Sequence, residues 1–278
     1  MDINLELTGY YRAEFEKAKA DQKWVGALQI TTVLFSAAAS LVPNQTLVYA
    51  VSILAVIGTI LWNYKSSQSS SKKANAERAR RILMLIGGLN YQPSDKQIRD
   101  IESSFTASKA DAQKWNDPNY FDASDPVGPI RLAKMMKQSC FWSKELYKQT
   151  AQETWFKVAS SIIFIIVVEA FALSQTVGRN INTIIIQVLV GTLTLFATRD
   201  LISKAMCCDD AAKSLDQLEE RLGWMITSNN SMPDVLCLFG DYNSVVECSP
   251  IISTAIYKKH TPRLEKIWAA YNSKKTNP

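Results

Sequence analysis

Residues able to do acid–base or nucleophilic work are present in this sequence, but not in the groupings that catalysis uses. The only histidine is His260, which excludes metal sites built from several imidazoles. Asp209-Asp210 and Glu219-Glu220 are adjacent pairs on a helix-patterned stretch, and neighbours along a helix do not converge on one substrate. They read as solvated charge, as do Glu145 and Glu153. No GxSxG, HExxH, GxxxxGK(S/T) or GxGxxG occurs. The cysteines (Cys140, Cys207, Cys208, Cys237 and Cys248) are odd in number and form no CxxC pair. They read as free thiols of a reducing compartment, with Cys207-Cys208 at a packed helical position. No catalytic group, metal or cofactor is expected.

Binding chemistry is better represented. On a helix beginning near Ile130, Lys134, Lys137, Lys144 and Lys148 fall in one angular sector, with Arg131 at its edge. Arg78, Arg80 and Arg81 form a second basic knot. If the two helices pack together, both sets face a polyanion. Arg offers planar two-point donation to phosphate and Lys a compact charge, while Tyr120, Phe121 and Trp142 offer stacking faces for a base. The candidate ligand contacts are therefore Arg78, Arg81, Tyr120, Arg131, Lys134 and Trp142. The competing reading of the same residues is a solvated helix face drawn to anionic lipid headgroups. A net charge of +5 suits either, and is too small to argue for duplex nucleic acid.

The elements that must carry these residues are set by four apolar runs, Trp24–Val42, Thr46–Tyr64, Val158–Val177 and Ile181–Thr198. Each is about long enough to cross a ~30 Å hydrocarbon core as a helix. The mean hydropathy of −0.06 averages these runs with strongly polar segments. All of the 31 Lys and Arg except Arg179 lie outside the runs and their two short connections. Lys23, Lys65, Lys157 and Arg199 flank the runs directly, so both termini and the middle segment should be cytosolic. Trp24, Trp62, Tyr64, Trp155 and Phe156 fall at the same boundaries, where amphipathic rings favour the headgroup level. The expected organisation is a cytosolic helix (1–23), a transmembrane hairpin (24–64), a cytosolic helical segment (65–157), a second hairpin (158–198) and a cytosolic stalk with a C-terminal segment (199–278). Inside the second hairpin, Glu169 is the outlier. A carboxyl there costs about 2.5–3.5 kcal/mol on insertion scales and faces protein or a watery path. Gln187 lies at nearly its depth. The pair reads either as pore-lining or oligomer-contact groups, or as a protonated Glu held by one interhelical hydrogen bond.

The fold class expected is mainly α: four transmembrane helices as two hairpins, continuing into a cytosolic helical bundle with a small mixed C-terminal segment. A polar serine cluster, Ser66–Ser71, precedes a helix over Lys72–Leu89 whose end Gly87-Gly88 weakens, and Pro93-Ser94-Asp95 opens a short helix through Phe105. Lys114–Pro129 is rich in turn formers and reads as an ordered loop. The helix from Ile130 runs into the third apolar run, with Pro129 in its first turn. The fourth run continues as a coiled-coil-like stripe (Leu201, Ala205, Cys208, Ala212, Leu215, Leu218, Leu222, Met225) and stops between Gly223 and Asn230. Val235–Phe239 and Ser244–Cys248 read as β-like pieces, followed by an amphipathic helix over Pro262–Tyr271.

This layout resembles the SMODS-associated four-transmembrane effectors, pore-forming proteins of bacterial CBASS anti-phage systems. The order of segments is similar across nearly the whole chain. Local likeness is carried by YFDASDPVGPIRLAKMMKQSCFWSKELY (Tyr120–Tyr147) and DYNSVVECSPIISTAIYKKHTPRLEKIW (Asp241–Trp268). In the second stretch it rests on Tyr242, Pro250, Ile256-Tyr257-Lys258, Leu264 and Trp268. The resemblance implies a non-enzymatic, homo-oligomeric receiver in the bacterial inner membrane. A CD-NTase makes a cyclic di- or oligonucleotide, the effector binds it through its cytosolic part, and the assembled protein permeabilises the bilayer. The residues alone also allow a membrane scaffold that grips anionic lipid or recruits a partner. A membrane-bound hydrolase is disfavoured by the lack of paired catalytic groups.

Overall fold

The computed structural model describes residues 3–41, 44–117, 125–174, 181–228 and 231–276; side chains at 3–5, 38–41, 45, 169, 171–174, 181–191, 193–197 and 271–276 are not described. The described chain is eight helices with no strand: α1 (Ile3–Leu41), α2 (Gln45–Leu89), α3 (Asp95–Glu102), α4 (Lys109–Gln113), α5 (Pro129–Ser174), α6 (Ile181–Thr227), α7 (Met232–Cys248) and α8 (Thr254–Thr276). Two of them are long and apolar enough to cross a membrane, over Thr46–Leu89 and Pro129–Val168.

The serine cluster at Ser66–Ser71 does not interrupt α2. The end at Leu89 is the expected one, with Gly87-Gly88 inside the last turn. The helix runs to Leu89, and Asn90 takes the left-handed conformation (φ 55) that closes helix ends. The glycines serve packing: a Cβ on Gly88 would sit 2.9 Å from the Cβ and 3.0 Å from the Cα of Leu132. Gly128, at φ 155, donates its N–H to the Gly88 carbonyl at 2.8 Å just before α5 begins. That conformation is open to glycine and strained for other residues.

The β-like C-terminal pieces are a correction. Residues 235–239 and 244–248 belong to one helix, α7, so the C-terminal segment is helical rather than mixed. Buried Val235, Leu238, Phe239, Tyr242 and Val246 recur every three or four residues, and Pro233 sits in the first turn, where its missing N–H has no intrahelical partner to lose. α8 begins at Thr254 rather than Pro262, which lies inside it.

The chain forms two compact units. One comprises Met1–Lys19, Ser70–Thr150 and Cys207–Pro278, the other Ala20–Ser69 and Ala151–Met206. In the first unit, Leu7 and Tyr11 of α1 join Ala76, Ala79, Ile82 and Leu83 of α2 and Ile101 of α3 in a core cluster. The fully buried Glu14 fixes the loop beyond α3, accepting from the N–H groups of Thr106 and Ala107, both at 2.9 Å. α8 packs through Ile256 and Leu264 on Leu146 of α5, with Trp142 and Ile252 at the edge.

In the second unit, Val25 and Trp62 pack together with Leu28 and Val33. Gly58 lets α2 approach Thr32 of α1, whose Oγ1 lies 2.5 Å from where a Cβ would stand. Lys65 pairs with Asp21 at 3.3 Å, and the Gln29 amide donates to Asp200 of α6 at 2.7 Å. The outward side chains are mostly apolar, including Ile60 at 63% exposure, Ile163 at 63% and Ile166 at 62%.

Candidate functional site

Three charged residues on α2, Lys73, Glu77 and Arg80, are spaced four and three apart, which puts them on one helix face. That face is buried against α5 and α7. The Lys73 ammonium donates to the carbonyls of Val246 at 2.7 Å and Glu247 at 2.8 Å, and to that of Ser249. These are carbonyls at the end of α7 that lack intrahelical donors, where the helix dipole is negative. Burial pulls the Lys73 pKa below its ordinary value, against the opposing attraction of Glu77.

Arg80 donates from Nε to Glu77 Oε2 at 2.6 Å and from Nη1 to the Tyr242 hydroxyl. Its guanidinium lies 4.8 Å from the Tyr242 ring centre. Burial works against the charge, but Glu77 and the phenols of Tyr242 and Tyr11 more than offset it, and the Arg80 pKa stands well above its usual value. Burial pushes the Tyr242 phenol up to about 12, and that group also shares a hydrogen bond with Ser139 of α5. Tyr147 is likewise raised by burial and is hydrogen-bonded to Ser249. The result is a polar clasp that fastens α7 to α2 and α5. It holds no nucleophile–base pair. A charge removed from the clasp strands another inside the unit.

The residues expected to contact a ligand are distributed around this clasp. Arg78 is exposed. Arg81 pairs with Glu247 of α7, both groups partly exposed. Arg131 donates to the Asp125 carbonyl at 3.2 Å, and Lys134 pairs with the Asp125 carboxylate. Trp142 meets Phe141 edge-to-face at 6.2 Å and backs onto the α8 contact, so its ring is part of the packing. Tyr120 and Phe121 lie outside the described residues.

The lysine sector of α5 does not form one solvent face. Lys144 bridges Asp216 at 2.6 Å and Glu219 at 2.8 Å of α6. Lys137 Nζ lies 2.9 Å from where a Cβ on Gly223 would stand. Lys148 is exposed. α2 and α5 run antiparallel, with Gly88 against Leu132 and Arg80 linked through Tyr242 to Ser139. The Arg81 and Arg131/Lys134 sets are therefore separated along α5 by about two turns, roughly 10 Å, rather than gathered at one point.

The backbones of Glu169 and Gln187 belong to α5 and α6, but their side chains lie outside those described. Cys140 and Cys208 are buried while Cys207, Cys237 and Cys248 are exposed, and none of the five is in a disulfide. Burial pushes the Cys140 thiol up to about 12. Among the described residues no group of three or more His, Cys, Asp or Glu is placed to hold a metal ion.

The clasp itself was not anticipated as a unit. Its signal is charge at a four-then-three spacing on a helix face otherwise lined by Ala76, Ala79 and Leu83. No protein family, curated protein or solved structure matches the chain.

Proposed function

We propose that this chain is a multi-pass membrane effector: four helices cross the bacterial inner membrane as two hairpins, and both termini and the first unit lie in the cytosol. A cyclic di- or oligonucleotide made by a CD-NTase binds the cytosolic part, and the assembled protein permeabilises the bilayer. One observation carries the membrane part. Only 17% of the apolar window in each of the two long apolar helices is buried inside the structure. A core helix of a soluble protein would be mostly buried, and each Ile or Leu left in water forgoes about 1.5–3 kcal/mol. Lipid removes that cost.

The signal-receiving part is supported by the resemblance and by the balance of charge on the cytosolic side. Among the described residues, Arg131 and Lys134 both engage Asp125, and Arg78 is exposed one turn from the Arg81–Glu247 pair. Each set retains positive charge for phosphate to engage. The test is a thermal-shift screen of the purified full chain against cyclic nucleotides, followed by dye release from liposomes. A native-state ligand raises the melting temperature and triggers leakage, and Arg78→Ala with Arg131→Ala abolishes both. No shift and no leakage across the panel refutes the receiver.

A second reading is favoured by the intrachain ion pairs of Arg81, Lys134 and Lys144, which reduce the cations open to a ligand. It is a non-pore scaffold that grips anionic lipid or recruits a partner. Such a protein binds anionic vesicles and releases no dye whichever nucleotide is added.

A further inference from the structure

The first unit carries two oppositely charged outer helix faces. α8 holds six Lys and Arg against Glu265, a surplus equal to the whole chain's +5. Ile256 and Leu264 turn inward, leaving Lys258, Arg263 and Lys266 exposed beside the half-exposed Tyr257 and Ile267. α6 from Cys207 to Thr227 holds five acidic residues against Lys213 and Arg221. Its outer side presents Asp210 and Glu220, and ends in Trp224 at 73% exposure.

The two helices take different sides of α5. α6 engages α5 through Lys144, whereas α8 engages it through Trp142 and Leu146. At about 100° per residue those contacts fall roughly on opposite sides of α5. We infer that the acidic α6 face of one copy docks on the basic α8 face of the next, with Trp224 as its apolar anchor. Charge complementarity selects a second copy as the occupant, because this chain supplies both partners. A contact between two different faces is heterologous and repeats from copy to copy. In copies that share one bilayer and one orientation, it repeats by rotation about the membrane normal, giving a ring where that rotation closes. The ring rests on the membrane assignment above; the contact does not rest on any nucleotide.

The test uses the full chain in detergent micelles, with particle mass as the readout. The parent assembles at about 0.1 M salt and dissociates at about 1 M, as the screening length falls from about 10 Å to about 3 Å. Asp210→Lys with Glu220→Lys, and separately Lys258→Glu with Arg263→Glu, each give single copies. Mixing the two variants restores assembly, because each now carries the charge the other lacks; this also shows that both are folded. Trp224→Ser raises the dissociation constant at least about tenfold. A parent that is single at low salt, a reversed variant that keeps the parental mass, or a mixture that stays single each overturns the contact. Assembly that obeys the charge reversals in a protein blind to every cyclic nucleotide leaves the contact standing and removes the receiver.

Discussion

Replacing Arg80 by Met tests the clasp where it is most exposed to failure. Glu77 is only 2% exposed and Arg80 6%, and their contact is 2.6 Å. Met in place of Arg80 leaves the Glu77 carboxylate buried without its counter-charge and removes a donor from the Tyr242 hydroxyl. Breaking a buried pair by removing one partner costs about 3–5 kcal/mol. For a unit of this size each kcal/mol lowers the melting temperature by about 2–4 °C, so the expected fall is about 6–20 °C. The double replacement Glu77→Leu with Arg80→Met puts apolar side chains on a face already lined by Ala76, Ala79 and Leu83. It should recover a large part of that loss, because exchanging both partners for apolar groups is often neutral, and fall short of the parent by the attraction that Glu77 gives the buried Lys73. The assay is a double-mutant cycle read by circular dichroism melts of the full chain in detergent. Hydrogen exchange across 232–248 reports whether α7 has loosened. Arg80→Met within about 1 kcal/mol of the parent, or a double variant no better than the sum of the singles, refutes the clasp as an energetic unit.

Other outcomes follow from single observations. Maleimide should label Cys207, Cys237 and Cys248 in the folded protein and reach Cys140 and Cys208 only after denaturation, counted by intact mass. Gly88→Ala should lower the melting temperature by an amount equivalent to about 1–3 kcal/mol, because its Cβ meets the Leu132 backbone. Gly240→Ala, with open space at its Cβ, should raise stability by about 0.5–1 kcal/mol. The Asp111 carboxyl is held at about 2, below the ordinary 3.8, by hydrogen bonds from Ser108 and then Lys114 and Lys17. A depressed acid lends its stability above its unfolded pKa and loses it as pH falls through the folded one. Amide exchange over 108–114, corrected for intrinsic rate, should therefore rise as pH drops from 4 towards 2. Asp111→Asn should remove that step.

The mainly helical class was legible from long apolar runs and from stripes at three- and four-residue spacing, the strongest local signals. α5 starts where Pro129 predicts and α6 stops at Thr227, inside the expected window. The boundaries between the units lie four, five, seven and eight residues from the expected segment ends. Local signals misled where packing decides. Val235–Phe239 contains β-favouring residues, yet Leu238, Tyr242 and Val246 are buried along one helical face. Gly88, read only as weakening the end of α2, is a close approach to Leu132.

The candidate site was less legible. Lysines spaced for one helix sector are divided by their neighbours: Lys144 is taken by Asp216 and Glu219 of α6, Lys134 by Asp125. A sequence shows the spacing of charges on one helix but not the carboxylates that another helix brings to them. Arg80 is the sharpest instance, placed among ligand-facing cations by spacing and buried in the clasp by packing.

The membrane assignment is tested most directly by depth measurement on the exposed apolar faces. Nitroxides at Ile57 and Ile163, placed singly in a chain whose Cys207, Cys237 and Cys248 are serine, would be reconstituted in lipid vesicles. The assignment predicts relaxation dominated by oxygen, which concentrates in hydrocarbon, with protection from a water-soluble nickel complex at both positions. Relaxation dominated by the nickel complex at either position places that face in water and contradicts it.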